Sequence, residues 1–421
     1  MKELDSLFAL EPDAVACPYA AYRAAREQAA VVHDSRLDVF VVTRHATIVE
    51  VNSRATQFSN GNPMGPAITE ALERIGRVLA TRPADFQARA MIVLRRGNVL
   101  FTADPPEHTR HRRVLNSALT PSAVSRIESL IESDCRRLCD ELDIGVAVDV
   151  VRGFATPAPI LALAHLLGMP ESMAPRFYEW ATAINSTIGS ALSDEHLLAA
   201  LEKQIEFWDF FEDALKQRAG SGDSDLISRI ARASSLEAEP LSVEQQVGFC
   251  AQLIGAGADT TTKLLAQALL TLAHDTTLCS RLRDTPALIP AFLEETLRLE
   301  PPVQGMFRVA TGAFEVEGVT VPAGATLWCL YASGNRDPAV FPDPDQLNLA
   351  RGNARQHLSF GTGPHVCIGA NLARSVARIA LSTFLERFKT IELADPGFEP
   401  AYEASYVMHG FPSMPLKLGR D

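Results

Sequence analysis

A long run of apolar residues at helical spacing constrains the fold of this chain more than any other feature of its sequence. The run extends from Val243 to His274. The same spacing recurs over residues 18–28, 120–142, 157–167, 171–188, 196–218, 288–299 and 368–388. Apolar residues repeated with this period place one face of each helix in a core, so the sequence predicts a mainly α protein.

Short β-branched runs interrupt the helical pattern and predict small β-sheets. They occupy residues 39–43, 145–151 and 314–333, and in the last of these Gly318 and the PAG that ends at Gly324 supply turns. The chain shows no internal repeat, and its one linker-like stretch, GSGDSD at 220–225, is too short to separate domains. The expectation is one domain over residues 1–421, mainly α with small β-sheets.

Residues 61–97 form a segment of partial helical pattern with too many interruptions for a single helix. Segments of this kind often carry binding function on a more rigid scaffold. We expect this one to be a mobile covering element.

Composition and charge exclude several classes of protein. The formal net charge of −12 disfavours nucleic acid as the main partner. The sequence has neither a basic start followed by an apolar run nor an uninterrupted apolar stretch of spanning length, so we expect a cytoplasmic protein without membrane insertion. Seven cysteines, an odd number, argue against a disulfide scaffold, and Cys135 and Cys139 are expected to be semi-buried helix residues.

One cysteine, Cys367, lies in a glycine-bearing loop, FGTGPHVCIGA, that starts at Phe360. Gly361 and Gly363 allow a tight turn whose backbone N–H groups can donate to a sulfur anion. The start of the following helix also favours an anion there, and Gly369 allows a flat cofactor to approach the backbone closely. The alternative is a buried structural cysteine, which is the usual state of a lone one.

The order Phe-Gly-x-Gly-x-His-x-Cys-x-Gly resembles the haem-ligand loop of the cytochrome P450 superfamily. The resemblance implies the cytochrome P450 fold, a triangular prism with a long central helix over the haem. It also implies haem b with the thiolate of Cys367 as axial ligand, O2 as co-substrate, and cofactor contacts from Phe360, Gly361, His365 and Gly369.

The central helix contains a second family feature, QLIGAGADTTTK, which starts at Gln252. Each glycine inside a helix lowers helix stability by about 1 kcal/mol relative to alanine, so the two glycines here are expected to have a use. The expected use is space over the cofactor, with Ala256 and Gly257 as cofactor contacts. The Thr260 hydroxyl is placed to bond the Ala256 carbonyl and open the helix. The resemblance implies that Asp259 and Thr260 supply protons during dioxygen activation. The alternative is an N-cap pair that starts a new helix.

Two further sets of charged residues match family positions. Glu295 and Arg298 lie at helical i,i+3 spacing in EETLRLEPPV, and the resemblance implies that they bond Arg351 in a buried structural network. It also implies that His108, Arg112, Arg308 and His365 bind the two haem propionates, which need cationic or hydrogen-bonding partners. A solvated helix face is the alternative for the basic run that contains Arg112.

Substrate contacts are expected from mostly apolar positions, which indicates a hydrophobic organic substrate. The candidates are Met91, Val93, Ile184, Leu253, Ala256, Val303, Met306, Phe307 and Val407. Four arginines leave open a carboxylate on the substrate, and a position facing water is the alternative for each: Arg82, Arg89, Arg95 and Arg96.

The resemblance implies a monomeric monooxygenase that receives electrons from NAD(P)H through a ferredoxin reductase and a ferredoxin or flavodoxin, because the chain carries no redox domain of its own. Basic residues expected around the cysteine face would steer such an acidic partner: Arg110, Arg113, Arg355, Arg374 and Arg378. C–H hydroxylation is the leading reaction. A peroxide-using or rearranging haem-thiolate enzyme and a non-catalytic haem sensor are the alternatives.

Overall fold

A computed structural model describes residues 2–95, 99–186, 193–218, 220 and 222–420. Over this part of the chain the helices, in sequence order, are α1 (Lys2–Phe8), α2 (Pro12–Ala16), α3 (Tyr19–Gln28), α4 (His45–Ser53), α5 (Pro66–Leu79), α6 (Ala84–Arg95), α7 (Glu107–Ala118), α8 (Pro121–Ser125), α9 (Glu128–Glu141), α10 (Pro157–Leu166), α11 (Ala174–Ser186), α12 (Asp194–Arg218), α13 (Leu226–Ser235), α14 (Val243–His274), α15 (Thr276–Asp284), α16 (Ile289–Leu299), α17 (Tyr331–Gly334) and α18 (Ala370–Arg387).

The strands are short, as the sequence predicts. They are β1 (Val31–Asp34), β2 (Val39–Val42), β3 (Phe58–Ser59), β4 (Ala147–Asp149), β5 (Met306–Ala310), β6 (Phe314–Val316), β7 (Val319–Val321), β8 (Thr326–Cys329), β9 (Thr390–Leu393) and β10 (Pro415–Gly419). They form a five-stranded sheet of order β1-β2-β8-β5-β3, a three-stranded sheet of order β4-β10-β9 and the hairpin β6-β7. The mainly α fold with small sheets is confirmed.

The described chain divides into two compact units. The first comprises residues 2–58, 128–159 and 260–420, and contains α16, α18 and most of the β-structure. Its five-stranded sheet packs on a core that includes Val42, Ile48, Leu327 and Tyr331. The second comprises residues 59–127 and 160–259 and is helical. The expected single domain stays a prediction.

Helix boundaries agree with the periodicity where the apolar pattern is unbroken. α14 covers Val243–His274, the range that the sequence predicts, and α3 begins one residue after the predicted start. The predicted helix over 120–142 is instead two helices, α8 and α9. Thr120 caps the first of them by accepting a hydrogen bond from the Ala123 N–H, and Pro121 occupies its first turn.

The interruptions in residues 61–97 divide this segment into α5 and α6, and the prediction that it is not one helix is confirmed. Its mobility stays a prediction. Arg96 lies outside the described residues. Of the other arginines there, Arg82 is exposed, and Arg89 forms an ion pair with Asp209.

Candidate functional site

In the first unit, the loop around Cys367 has the geometry that its glycines predict. Gly361 and Gly363 have φ angles of 68° and 72°, in the left-handed region that only glycine adopts freely. At Gly363 an added Cβ would also lie 2.6 Å from the Asn52 carbonyl oxygen. The Cys367 N–H donates to the Phe360 carbonyl at 2.8 Å and closes the loop. Cys367 is exposed just before α18, so the loop presents its sulfur instead of burying it.

A charged cluster that the sequence prediction missed supports the Phe360 ring. The Arg374 guanidinium lies 4.4 Å from the centre of that ring and donates to both carboxylate oxygens of Glu294, at 2.6 and 3.0 Å. Buried His357 contacts the same carboxylate at 3.1 Å. A guanidinium over an aromatic face is a cation–π contact, so this cluster holds the ring beside the cysteine loop.

Burial by itself raises the pKa of Glu294, but the hydrogen bonds from His357 and Arg374 overcome that effect and lower it to about 2. Burial lowers the pKa of His357, and its bond to Glu294 opposes this only in part. Glu294 is therefore a carboxylate at neutral pH, and His357 is its neutral N–H donor.

The pKa of Glu294 gives a prediction for acid stability. A depressed pKa contributes stability that is complete above the ordinary value of 4.5 and is lost as the pH falls towards 2. Glu294→Gln is expected to remove this dependence, which amounts to a slope of about 1.4 kcal/mol per pH unit in the free energy of unfolding. Urea titrations at several pH values between 5 and 2 measure the slope. Equal slopes in the variant and the parent protein would contradict the assignment.

The predicted network of Glu295, Arg298 and Arg351 is present in the first unit. Nε and Nη2 of Arg298 donate to the two carboxylate oxygens of Glu295, at 2.6 and 2.9 Å. Arg351 donates to the same carboxylate at 3.1 Å. Glu295 and Arg298 are fully buried. Arg298 also donates to three backbone carbonyls of the irregular stretch before the cysteine loop: Asn335, Pro344 and Gln346.

Arg308 provides a test of whether the first unit suits an anionic cofactor. It is buried, and its hydrogen bonds go to the Phe307 carbonyl at 2.7 Å and to the Tyr331 hydroxyl. Within the described part of the chain, no carboxylate forms an ion pair with it. A buried guanidinium is costly without an anion, so Arg308 fits a bound carboxylate such as a haem propionate. His365 lies half-buried in a short 3₁₀ turn two residues before Cys367.

In the second unit, His108 and Arg112 lie one turn apart on α7, as predicted. His108 is buried, and burial together with the nearby charge of Arg112 lowers its pKa to about 4. A carboxylate bound beside His108 would raise this pKa again, and the neighbouring Arg112 is half-exposed. His111, which the sequence prediction did not single out, is buried and accepts a hydrogen bond from the Leu100 N–H at 3.1 Å.

The glycines of α14 have a packing role that the sequence analysis did not predict. A Cβ on Gly255 would lie 2.7 Å from Ile184, and the Gly255 carbonyl accepts a hydrogen bond from the Asn185 side chain at 3.0 Å. A Cβ on Gly257 would lie 3.3 Å from Leu163. Both glycines therefore allow close packing of neighbouring helices. Space over the cofactor stays a prediction, and Ala256 is the exposed small residue here.

The helix is continuous through Ala256 and Thr260, which excludes the alternative that Asp259 and Thr260 start a new helix. Both side chains are half-buried. The hydrogen bond from Thr260 to the Ala256 carbonyl stays a prediction.

The predicted substrate-contact residues have different environments. Phe307 is fully buried in the core of the sheet and stacks on Trp328, with ring centres 5.7 Å apart, and its contact with substrate stays a prediction. Ile184 is buried against Gly255, and Met306 packs on the sheet core. Of the others, Met91 is exposed, Leu253 and Val303 are half-buried, and Val93 and Val407 are buried.

Most of the predicted docking arginines have acidic partners within their own unit. Arg374 belongs to the Glu294 cluster, and its role as a steering charge stays a prediction. The others pair as Arg110 with Glu107, Arg113 with Glu237 and Arg378 with Glu128. Arg355 is the most exposed, with 76% of its side chain accessible and Glu294 4.0 Å away.

Comparison with known proteins agrees with this geometry. The family model described as Cytochrome P450 matches residues 287–418. Cytochrome P450 109 of Bacillus spizizenii is 34% identical over 70% of this chain and 73% of its own length. The structure of CYP109Q5 from Chondromyces apiculatus has a TM-score of 0.83, 26% identity and 98% coverage of both chains. That of CYP109E1 from Bacillus megaterium with testosterone has a TM-score of 0.81, 26% identity, and covers 95% of this chain and 99% of that one.

The chain belongs to the cytochrome P450 family. It is a haem-thiolate monooxygenase, with a cysteine-ligated haem as cofactor and O2 as co-substrate. Among the described residues, no helix combines the length and the apolar character needed to cross a bilayer.

Proposed function

We propose that Cys367 is the haem ligand and that the enzyme hydroxylates a C–H bond of a hydrophobic substrate, with electrons from NAD(P)H delivered by a ferredoxin and its reductase. The observation that carries this proposal is the exposed sulfur of Cys367, held by a loop whose two glycines have positive φ angles. Buried Arg308, which has no carboxylate partner among the described residues, independently supports binding of an anionic cofactor.

The bound haem would supply one-electron and dioxygen chemistry. The chain would supply the environment for it. Arg308 and His365, with His108 and Arg112, would hold the propionates, and the Phe360 ring, supported by Arg374, would keep water from the sulfur. Asp259 and Thr260 would move protons from solvent along α14.

Electron supply and reaction are tested together. NAD(P)H consumption is measured with a ferredoxin and its reductase, and products are analysed from a library of hydrophobic compounds that includes testosterone, the ligand of the B. megaterium relative. Binders are first found by the spin-state shift in the haem spectrum. The expected result is a hydroxylated product that depends on the ferredoxin. Product formed only with added peroxide, or no oxygenated product with any reductant, would contradict this proposal.

Thr260→Ala is expected to leave haem and substrate binding intact but to divert reducing equivalents to hydrogen peroxide, because the proton-donating hydroxyl is lost. General acid catalysis of this kind contributes about 10²- to 10⁴-fold, so product per NAD(P)H should fall at least tenfold. Peroxide, product and NAD(P)H are measured in the same reaction.

Thr271→Ala is the matched control for this prediction. Thr271 is also on α14, and its hydroxyl donates to the Gln267 carbonyl at 2.9 Å. This variant should stay coupled like the parent enzyme. Full coupling in Thr260→Ala would remove Thr260 from proton delivery.

A further inference from the structure

A buried lysine on α14 forms an ion pair that belongs neither to the Glu294 cluster nor to the Glu295 network. Lys263, three residues after Thr260, is 4% exposed at its side chain, and its ammonium lies 3.0 Å from Oε2 of Glu403. A buried ammonium is strongly unfavourable without a partner. Glu403 is 44% exposed, so the pair has one end in water.

The partner belongs to a turn, residues 402–410, that carries Val407. The Glu403 N–H donates to the Gly410 carbonyl at 2.9 Å, and the N–H groups of Val407 and Met408 both contact the Ser405 hydroxyl, at 3.2 and 3.0 Å. These bonds make the turn a compact unit. Fixing one end of it therefore restricts the position of Val407.

On its other side, this turn is joined to the segment that follows α16. The Gln304 N–H donates to the Val407 carbonyl at 2.7 Å, and the His409 N–H donates to the Pro302 carbonyl at 2.9 Å. Val303 and Met408 form an antiparallel bridge. The pair of Lys263 and Glu403 is thus the charged attachment of the turn to α14, next to a longer hydrogen bond of 3.4 Å from the Tyr402 hydroxyl to the Gln267 side chain.

Gly410 makes room for the lysine. A Cβ at this position would lie 2.4 Å from Lys263 Cγ, 2.8 Å from Cδ and 2.9 Å from Cε. The aliphatic stem of Lys263 therefore lies directly on the Gly410 backbone. Any side chain at position 410 would have to displace the lysine.

We propose that Lys263 and Glu403 clamp the 402–410 turn to α14, and that Lys263 is a positioning residue that acts through Val407 on the shape of the substrate site. The inference rests on the proposed function and on the sequence prediction that Val407 contacts substrate. Thr260, which serves the proposed reaction, lies one helical turn before Lys263 on α14. The clamp itself is a property of the protein that can be measured without a substrate.

Hydrogen exchange tests the clamp. In Lys263→Met, which keeps the aliphatic length and loses the charge, the Glu403 and Met408 amides should exchange about tenfold faster, while those of β9 stay unchanged. If Lys263→Met does not fold, Glu403→Gln tests the same prediction, because position 403 is half-exposed and the substitution also breaks the ion pair. The same amides should then exchange faster. Lys216→Met, which breaks the exposed pair with Glu212, is the control and should change neither region. Unchanged exchange in residues 402–410 in the variants would overturn the clamp.

A double variant tests the packing on Gly410. Gly410→Ala alone should reproduce the faster exchange, because the new methyl group displaces Lys263. In Gly410→Ala with Lys263→Ala the clash is absent, so the effects should be markedly less than additive. Additive effects would show that the two residues act separately.

Optical titration with imidazole and 4-phenylimidazole tests the effect on the site. Imidazole needs little space and should bind the haem of Lys263→Met as it binds the parent protein. The Kd of 4-phenylimidazole should change by at least about fivefold, because its ring needs the volume over the haem that the proposal assigns to Val407 as a border. An equal Kd in both proteins would refute the positioning role. No spectral response in the parent protein would instead refute the proposed function, and the exchange result would still stand.

Discussion

Replacing Cys367 with alanine is expected to abolish the difference band that carbon monoxide gives with a reduced thiolate-ligated haem, and with it all monooxygenase activity. The loop leaves Cys367 exposed just before the start of α18, and the start of a helix favours an anion. An alanine methyl group can form no bond to iron. The measurement is the carbon monoxide difference spectrum of purified protein, with haem content assayed separately.

Cys17→Ala is the matched control for this prediction, because Cys17 is the other exposed cysteine among the described residues. Its spectrum and activity should equal those of the parent protein. A thiolate band that persists in Cys367→Ala would show that another residue holds the iron, and the proposed site would then be wrong.

Glu295→Ala is expected to produce the largest loss of stability. It removes the carboxylate that receives Arg298 and Arg351, and it leaves the fully buried Arg298 guanidinium without an anion. Breaking a buried pair in this way costs about 3 to 5 kcal/mol, a large part of the stability of a typical protein. Urea unfolding and the yield of haem-loaded protein measure the loss.

Glu132→Ala separates burial from pairing as the cause. Glu132 pairs with Arg136 at 2.6 Å on α9, but about half of each side chain is exposed. Such pairs contribute about 0.5 kcal/mol or less, so this variant should unfold close to the parent midpoint. Similar losses of unfolding free energy in the two variants would mean that burial of the Glu295 network does not add to its contribution to stability.

Where a feature depends on residues close together in sequence, the prediction was close to the structure. α14 has its predicted limits because one apolar period runs through it without a break. Gly361 and Gly363 have positive φ angles, as the glycine pattern around Cys367 implies. Local spacing fixes both features, since helix periodicity and the steric limits of the backbone act over a few residues.

Contacts between distant segments could not be predicted in this way. The sequence places Phe307 beside Arg308 but does not indicate that its ring stacks on Trp328 in the core. It gives Arg374 as one more surface arginine, whereas the folded chain places that side chain between Glu294 and the Phe360 ring.

The sequence by itself determined the helical class, the cysteine loop, and the acid and alcohol on α14, because each of these features depends on residues that are only a few positions apart. The tertiary structure decided which charges are buried and what they bind. It pairs Lys263 with Glu403, 140 positions further along the chain, and it places Gly410 where only a residue without a side chain leaves space for the lysine. The physical reason is that burial and ion pairing depend on segments that only folding brings together, and no periodicity in the chain encodes their approach.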